Sequence, residues 1–198
     1  MVHLRPFHGH ITHSKALGAN GGLARYHLTV EAWTAFLAHT QDSAIYQDMT
    51  VFDIIDAVTS KLEGQGTLKP QWRMDIADQS LYTKRSLTTQ YQESDLAFLQ
   101  RLLQEEGLFG WIEHQGNNTS TLSSEATNNA DQQANQLGSH TWVIADHNGA
   151  FHRNSQSQVP FTQAGAVMKQ DSIDQWHSVR QWHSNAITQQ SWDYRQVH

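Results

Sequence analysis

The sequence predicts an α+β protein: an antiparallel, barrel-like β region with an inserted or adjoining segment that carries two helices. Residues 5–12 and 26–30 alternate between apolar and polar side chains, which is the period of a half-buried strand. Two stretches that begin near Thr50 and Ser94 instead repeat their apolar residues with the period of a helix. The chain has 198 residues, 38% of them hydrophobic, so it is long enough to bury a core between these elements.

Residues 1–48 predict a barrel-type β segment. The glycine-rich run at residues 18–22 separates the two alternating stretches and is typical of a turn. We therefore expect a hairpin with a long loop, whose strands form part of a barrel wall.

Residues 49–115 predict a helix-containing α/β segment. Its first helix begins at Thr50, which has the spacing of a capping box with Asp53, and it ends at Gly64. One face of this helix is apolar and carries Ile54, Ile55, Val58 and Leu62.

The second helix begins at Ser94, whose hydroxyl can accept a hydrogen bond from a first-turn amide. Asp95 follows at the end of the helix where the dipole favours a negative charge, and Gly107 supplies the left-handed residue that ends the helix. We expect Leu99, at the centre of the apolar face, to anchor this helix. The whole face consists of Leu96, Leu99, Leu102 and Leu103.

Shorter strands are predicted between and after the helices. Residues 69–78 and 80–91 contain runs of aromatic and β-branched residues, which favour strands or extended connections. Residues 108–114 alternate more clearly, with Phe109 and Trp111 on one face. The opposite face of this strand carries Leu108, Gly110 and Ile112.

The last third of the chain divides into a loop and a second β segment. Residues 116–140 are almost entirely Asn, Gln, Ser, Thr and Ala, so they offer too little apolar area to offset ordering and predict a flexible polar loop. Residues 141–198 predict the second β segment, in which Asn148-Gly149 favours a type I′ hairpin turn. The strands expected in this segment are residues 141–145, 179–182 and 186–195.

Composition excludes several classes of function. The chain has 13 Lys and Arg but 19 Asp and Glu, which gives a net charge of −6, and it has no basic cluster. Nucleic acid is therefore not an expected partner. The chain has no cysteine, which excludes disulfides and thiolate catalysis. It has no apolar window of about 18 residues and no apolar N-terminal core, so we expect neither stable membrane insertion nor a signal peptide.

The 13 histidines are the natural candidates for a metal site. His8 and His10 lie on one face of a predicted strand, with His13 just beyond it. Catalytic zinc needs three protein ligands, and no HExxH or comparable motif is present. We interpret these residues as surface and strand-face histidines, and we expect no catalytic, cofactor-binding or metal-binding residues.

Two groups of acidic residues are candidates for a catalytic or calcium-binding site. Glu105 and Glu106 point about 100° apart on a helix, which favours a solvated helix end over acid–base catalysis. Their charge opposes the helix dipole, so one of them is expected to have a partner. Residues 146–149 faintly resemble a calcium loop but lack its other ligands, and they are read as a strand end and a turn.

Seven tryptophans raise the question of a binding surface. Aromatic residues mostly pack the cores of β-rich proteins, so we assign Trp33 and Trp111 to the core. For Trp176 and Trp182 the sequence does not distinguish a core position from a surface position.

Seven motifs follow one another along nearly the whole chain. The longest, at residues 90–107, reads QYQESDLAFLQRLLQEEG. In their order and number they resemble the VgrG spike proteins of type VI secretion and the related hub (late control D) proteins of contractile phage tails. They occur here at residues 5–9, 25–28 with Trp33, 45–55, 90–107, 143–146, 171–173 and 192–195.

The resemblance implies a structural hub fragment of a cell-puncturing contractile injection device that delivers effectors, and no enzyme. In that family three copies form a ring that adapts a threefold spike to a sixfold tube. The implied partners are two further copies in the full-length protein, an Hcp-like tail-tube protein, a spike tip protein and effectors, with no cofactor. The implied location is the cytoplasm during assembly, followed by injection when the sheath contracts.

Two other interpretations stay open. A hub or baseplate protein of a prophage contractile tail would have the same physical role in another machine. A metal-dependent hydrolase is suggested only by the histidine count. Known VgrG-like proteins have further strands before the first motif and continue into an oligonucleotide-binding-like domain and a β-helical needle, so the resemblance is to a fragment of the hub.

Overall fold

A computed structural model describes residues 6–66, 68–116, 138–153, 156–162 and 172–182, together with residues 186 and 188. The chain divides into two compact units, Met1–Phe151 and His152–His198. In the second unit Phe161 forms a parallel bridge with Ile173, and the amide of Thr162 donates to the Ile173 carbonyl over 2.9 Å. The predicted division into four segments stays a prediction.

The described part of the first unit contains seven β-strands and two α-helices, which confirms an α+β protein. The strands are β1 (His10–Asn20), β2 (Leu23–Glu31), β3 (Gln41–Tyr46), β4 (Trp72–Asp75), β5 (Thr88–Ser94), β6 (Phe109–Gly116) and β7 (Gly138–Ala145). The helices are α1 (Val51–Thr59) and α2 (Asp95–Glu105), with 3-10 helices at Trp33–Ala38, Ser60–Leu62, Gln79–Leu81 and Asn148–Ala150.

The strands form three small sheets, in the orders β1-β2, β3-β5 and β4-β7-β6. In the third sheet β7 runs antiparallel to β6 and parallel to β4, so this sheet is mixed. The described residues form no closed barrel, so the barrel-like form of the prediction is not confirmed. Within residues 69–78 and 80–91, the strands are limited to β4 and the first part of β5.

The β1–β2 hairpin has a tighter turn than the sequence predicted. Gly21 and Gly22 alone form it, with φ of 61° and 86°, the left-handed conformation that two-residue hairpin turns require. β1 begins at His10 rather than at residue 5 and continues through the glycine-rich run to Asn20. The expectation of a long loop was wrong, because Gly18, Ala19 and Asn20 pair with residues of β2 and do not belong to the turn.

The predicted capping box at the start of α1 is confirmed. Thr50 Oγ1 accepts a hydrogen bond from the Asp53 amide over 3.1 Å, and Asp53 Oδ2 accepts one from the Thr50 amide over 2.9 Å. The α-helix ends at Thr59 and a 3-10 turn continues to Leu62. Gly64 follows with φ of 76°, so the predicted stop lies in the right place.

Both predicted ends of α2 are confirmed. Ser94 Oγ accepts a hydrogen bond from the Ala97 amide over 3.2 Å. At the other end Gly107 has φ of 71°, and the Leu108 amide donates to the Leu103 carbonyl over 2.7 Å. This bond, spanning five residues around a left-handed glycine, belongs to a Schellman motif and holds the strand that follows close to the helix.

The core joins both helices to the 3-10 helix at Trp33–Ala38 and to the three-stranded sheet. Trp33 is fully buried, as predicted, and packs edge-on against Trp142 with 6.0 Å between ring centroids. The assignment of Trp111 to the core was wrong: it is only partly buried and lies 4.7 Å from Phe151, centroid to centroid, on the outer face of β6. The large fully buried residues include Trp33, Phe98, Leu37, Ile54, Ile55, Leu62, Leu99, Leu102 and Ile144.

Three expectations near the end of the chain need correction. Asn148-Gly149 does not form a hairpin turn but begins a 3-10 helix, in which the Phe151 amide donates to the Asn148 carbonyl over 3.3 Å. The polar loop is shorter than 116–140, because Gly116 and Gly138 are paired across β6 and β7. Residues 179–182 form no strand. The polar stretch at 117–137 and most of the strand expected at 186–195 lie outside the described residues.

No helix in the described part of the chain combines the length and the apolar character needed to cross a membrane.

Candidate functional site

The β1–β2 hairpin presents a large uncovered apolar surface. Each of its strands pairs only with the other within the described part of the chain, so both outer edges are open. Apolar residues on open strand edges are typical of an interaction surface, because a monomeric protein normally covers or charges such edges. Six apolar side chains of the hairpin are between 49% and 75% exposed: Ile11, Leu17, Leu23, Tyr26, Leu28 and Val30.

A cluster of four histidines lies at the base of this hairpin. His8 and His10 come from the chain just before and at the start of β1, while His114 and His140 face each other as a cross-strand pair of β6 and β7. The ring centroids lie 5.0 Å apart for His8 and His140, 5.8 Å for His10 and His140, and 6.2 Å for His114 and His140. We call these four residues the histidine cluster.

His140 connects both arms of the hairpin to the sheet. Its Nε2 accepts a hydrogen bond of 2.8 Å from the backbone amide of Trp33, just after β2, and its Nδ1 lies 2.7 Å from Nδ1 of His8, just before β1. A third bond, 3.2 Å long, joins the backbone amide of His8 to Nδ1 of His114. His140 is buried, so these bonds replace its contacts with water.

The hydrogen bonds determine the protonation of the rings. The Trp33 amide can only donate, so Nε2 of His140 must be unprotonated, and a neutral His140 then carries its proton on Nδ1. That proton is donated to Nδ1 of His8, which must also be a free acceptor. Both rings are therefore neutral in this arrangement.

The surroundings of the cluster favour the uncharged rings. Burial, and after it the neighbouring His8, His10 and His114, together lower the pKa of His140 to about 4. Burial, together with neighbouring histidines, also lowers the pKa of His8 and of His10. His8, His10 and His140 are thus neutral imidazoles at neutral pH.

Two members of this cluster were predicted to lie together, and the other two were not. His8 and His10 do lie together, but His13 is exposed on the hairpin and does not join them. His114 lies in a predicted strand, and His140 lies at the end of a stretch interpreted as a loop, so local patterns give no reason to join them. The only sequence signal was the abundance of histidine.

The cluster is not shaped to hold a metal ion. No three His, Asp or Glu side chains in the described ranges are arranged to bind one. Nδ1 of His8 and Nδ1 of His140 are 2.7 Å apart, whereas two nitrogens on one tetrahedral zinc lie about 3.3 Å apart when each bond is about 2.0 Å. The expected absence of catalytic and metal-binding residues stays a prediction.

The acidic pair at the end of α2 has a structural partner, as expected from its position. Arg85 Nη1 lies 2.7 Å from Glu105, and Arg85 Nη2 lies 2.5 Å from Glu106. Arg101 contacts Glu105 as well, over 3.2 Å. These cations lower the pKa of Glu105 against the opposing effect of burial. Glu105 and Glu106 therefore hold Arg85, in the segment before β5, against the C-terminal end of α2.

The remaining candidate residues, at the proposed calcium loop and at two tryptophans, do not form a binding site in the described part of the chain. Asp146 accepts hydrogen bonds from the Ala77 amide over 3.1 Å and from the Tyr82 hydroxyl over 3.0 Å, so it links segments instead of forming a calcium loop. Trp176 and Trp182, in the second unit, are 76% and 100% exposed. The motif at residues 192–195 lies outside the described residues.

The chain matches a known protein family over nearly its whole length. The family model for the phage tail baseplate hub (GPD) matches residues 3–197. Two curated relatives from Pseudomonas aeruginosa are type VI secretion system spike proteins. VgrG5 is 41% identical over 102 residues, covering 51% of this chain and 12% of the relative, and VgrG1b is 25% identical over 193 residues, covering 96% and 22%.

A solved structure has a similar fold. The Escherichia coli c3393 protein matches with a TM-score of 0.54 and 23% identity, over 81% of this chain and 37% of that chain. That protein is a component of the type VI secretion system with structural similarity to the T4 bacteriophage tail proteins gp27 and gp5. The chain spans less than a quarter of the length of the two curated relatives. Because the hub model covers nearly all of it, this chain belongs to the phage tail baseplate hub (GPD) family.

Proposed function

We propose that this chain forms part of the structural hub of a cell-puncturing spike, of the kind that delivers effectors in type VI secretion. The observation that carries the proposal is the match of the hub family to residues 3–197, together with relatives that are type VI spike proteins. The role is mechanical, so the residues act by packing and self-association and not by bond chemistry.

The uncovered β1–β2 hairpin supports this role. An isolated two-stranded hairpin is at best marginally stable in water, so a hairpin with open edges and exposed apolar residues gains from a partner strand or surface. In a ring of three copies each hairpin would contact a different patch of the next copy. Strands from neighbouring copies would then complete the barrel-like wall that a single chain lacks.

The partners and location follow from the same assignment. In the full-length protein the hub is a homotrimer that contacts an Hcp-like tail-tube protein on one side and a needle, a spike tip protein and effectors on the other. It assembles in the cytoplasm and leaves the cell when the sheath contracts. A prophage tail hub remains the alternative, because its chain would match the same family model.

Self-association of this chain is expected to be weak. Ring contacts must overcome an association cost of about 4–15 kcal/mol, and the net charge of −6 on each copy adds repulsion at low salt. We therefore expect a monomer, or a concentration-dependent oligomer, at micromolar concentration. Light scattering coupled to size-exclusion chromatography measures this, and a trimer that survives dilution would show that the hub contacts alone suffice.

A matched pair of variants tests whether the hairpin is the contact surface. Leu28→Lys places a charge on the hairpin, and Gln100→Lys places the same charge on the exposed side of α2. At millimolar protein, where oligomers of the unmodified chain are expected, Leu28→Lys should return the chain to monomer and Gln100→Lys should not. Equal behaviour of the two variants would contradict the assignment of the hairpin.

A further inference from the structure

We propose that the histidine cluster is a proton-sensitive latch, which fastens both arms of the β1–β2 hairpin to the β6–β7 end of the sheet and opens in acid. The two arms are the residues just before β1, represented by His8, and the residue Trp33 just after β2. His140 of β7 holds one arm with each ring nitrogen. The inference goes beyond the proposed hub role, which needs no titratable group.

The geometry leaves no place for an additional proton. A second proton on His140 would go to Nε2, where it would point at the Trp33 amide, donor against donor, across 2.8 Å. An additional proton on His8 Nδ1 would point at the Nδ1 proton of His140 across 2.7 Å. Either event breaks the bond to one arm, and the positive rings of the cluster then repel one another.

The neighbouring groups do not neutralise this charge. The side chains that face His140 are His8 and His10 from the first arm and His114 from β6, with the aromatic ring of Phe36 beside His10. The nearest carboxylates along these elements have other partners. Glu113 forms a two-oxygen pair with Arg73 at 2.8 and 2.9 Å, and Glu31, which accepts from the Thr12 hydroxyl, does not shift the pKa of His8, His10 or His140.

Close backbone packing couples the two arms of the hairpin. Gly9 lies so close to the end of β2 that an added Cβ would be 2.7 Å from the Glu31 carbonyl oxygen, so the two arms are packed against each other at the hairpin base. Both arms therefore move together when the latch opens. The Trp33 indole, which donates to the Gln71 carbonyl over 3.2 Å and is fully buried, stays in the core as the pivot.

The size of the effect follows from linkage. The pKa of His140 is about 4 in the closed latch against 6.5 for an ordinary histidine, so closure is fully favoured above pH 6.5 and loses its advantage as the pH falls toward 4. Between pH 7.5 and pH 5 this difference multiplies the opening constant by about 30-fold. Protonation of His8 and His10, whose pKa values are also lowered, adds to the effect in the same direction.

The test is hydrogen exchange of the Trp33 amide in the full chain, followed by NMR at pH 7.5 and pH 5.0 after correction for the intrinsic exchange rate. Protection of the Trp33 amide should fall by about 30-fold, and at both pH values it should stay below the protection of the Leu102 amide inside α2, which reports unfolding of the whole unit. His39→Gln, an exposed histidine outside the cluster, is the matched control and should behave like the unmodified chain. His140→Gln can still accept from Trp33 but cannot titrate, so its Trp33 protection should be the same at both pH values.

A second measurement needs no variant. Imidazole 1H–15N spectra of the chelator-treated chain at pH 7.5 should show His140 with its proton on Nδ1 and a free Nε2. The opposite tautomer would overturn the proposal. So would Trp33 protection that is the same at both pH values in the unmodified chain, or Trp33 protection that still falls about 30-fold in His140→Gln. Equal protection of the Trp33 and Leu102 amides at both pH values would show that Trp33 exchanges only when the unit unfolds and would likewise overturn it.

Discussion

Truncation of Leu99 to alanine tests how the second helix is anchored. Leu99 is fully buried at the centre of the apolar face of α2, within the cluster that includes Trp33 and the α1 residues. The substitution removes three carbon atoms, which costs about 2.4 kcal/mol at about 0.8 kcal/mol for each buried methylene. If the cavity does not collapse, the total rises toward about 5 kcal/mol. The unfolding equilibrium constant should therefore increase by about 50-fold to several thousand-fold.

Thermal and urea unfolding followed by helical circular dichroism measure this change. Both α-helices in the described residues belong to the first unit, so the signal reports on the unit that contains Leu99. The melting temperature should fall by about 5–20 °C, at about 2–4 °C for each kcal/mol. Gln100→Ala is the control, because Gln100 is exposed on the opposite side of the helix. Equal losses for the two variants would refute the assignment of the buried face.

The remaining predictions concern the polar stretch and the acidic pair. Limited proteolysis should cut first within residues 117–137, and shortening this stretch should change stability little, because its ends at Gly116 and Gly138 are already paired and closure depends weakly on length. Resistance there, with cuts in β6 or β7, would contradict this. Arg85→Ala should cost about 1 kcal/mol at neutral pH, because Glu106 loses the Arg85 cation and Glu105 keeps only Arg101. Because the pKa of Glu105 is lowered, urea titrations should show this loss disappearing as the pH falls through and below the ordinary glutamate range, and a pH-independent loss would exclude the ion pair as its cause.

Sequence patterns predicted those features that short stretches of chain determine. The caps at Thr50 and Ser94 and the stop at Gly107 each depend on residues within about five positions, and the structure contains all three. The alternation in β6 was also predicted, with Leu108 buried and Phe109 and Trp111 stacked on the other face. Assigning Trp111 to the core nevertheless failed, because aromatic character alone does not say which face of a strand is covered.

The features that sequence reasoning missed depend on distant pairs. His8 and His140 are 132 positions apart, and Trp33 and His140 are 107 apart. Only the pairing of β6 with β7 and the return of the chain before β1 bring them together. The parallel pairing of β4 with β7 is equally remote in sequence and was not predicted. Periodicity identifies a strand but not its neighbour.

The hairpin and the latch depend on each other for a physical reason. In the described residues of the first unit the buried core begins at Trp33, and no side chain of the hairpin belongs to it. The orientation of the hairpin is therefore fixed mainly at its base, where the histidine cluster lies. Suppose that copies associate through the hairpin only in the orientation that the closed latch gives it. Closing the latch then strengthens association, and association stabilises the closed latch by the same free energy. A weakly associating chain is then the form in which acid opens the latch most easily, and a ring of copies is the form that resists it.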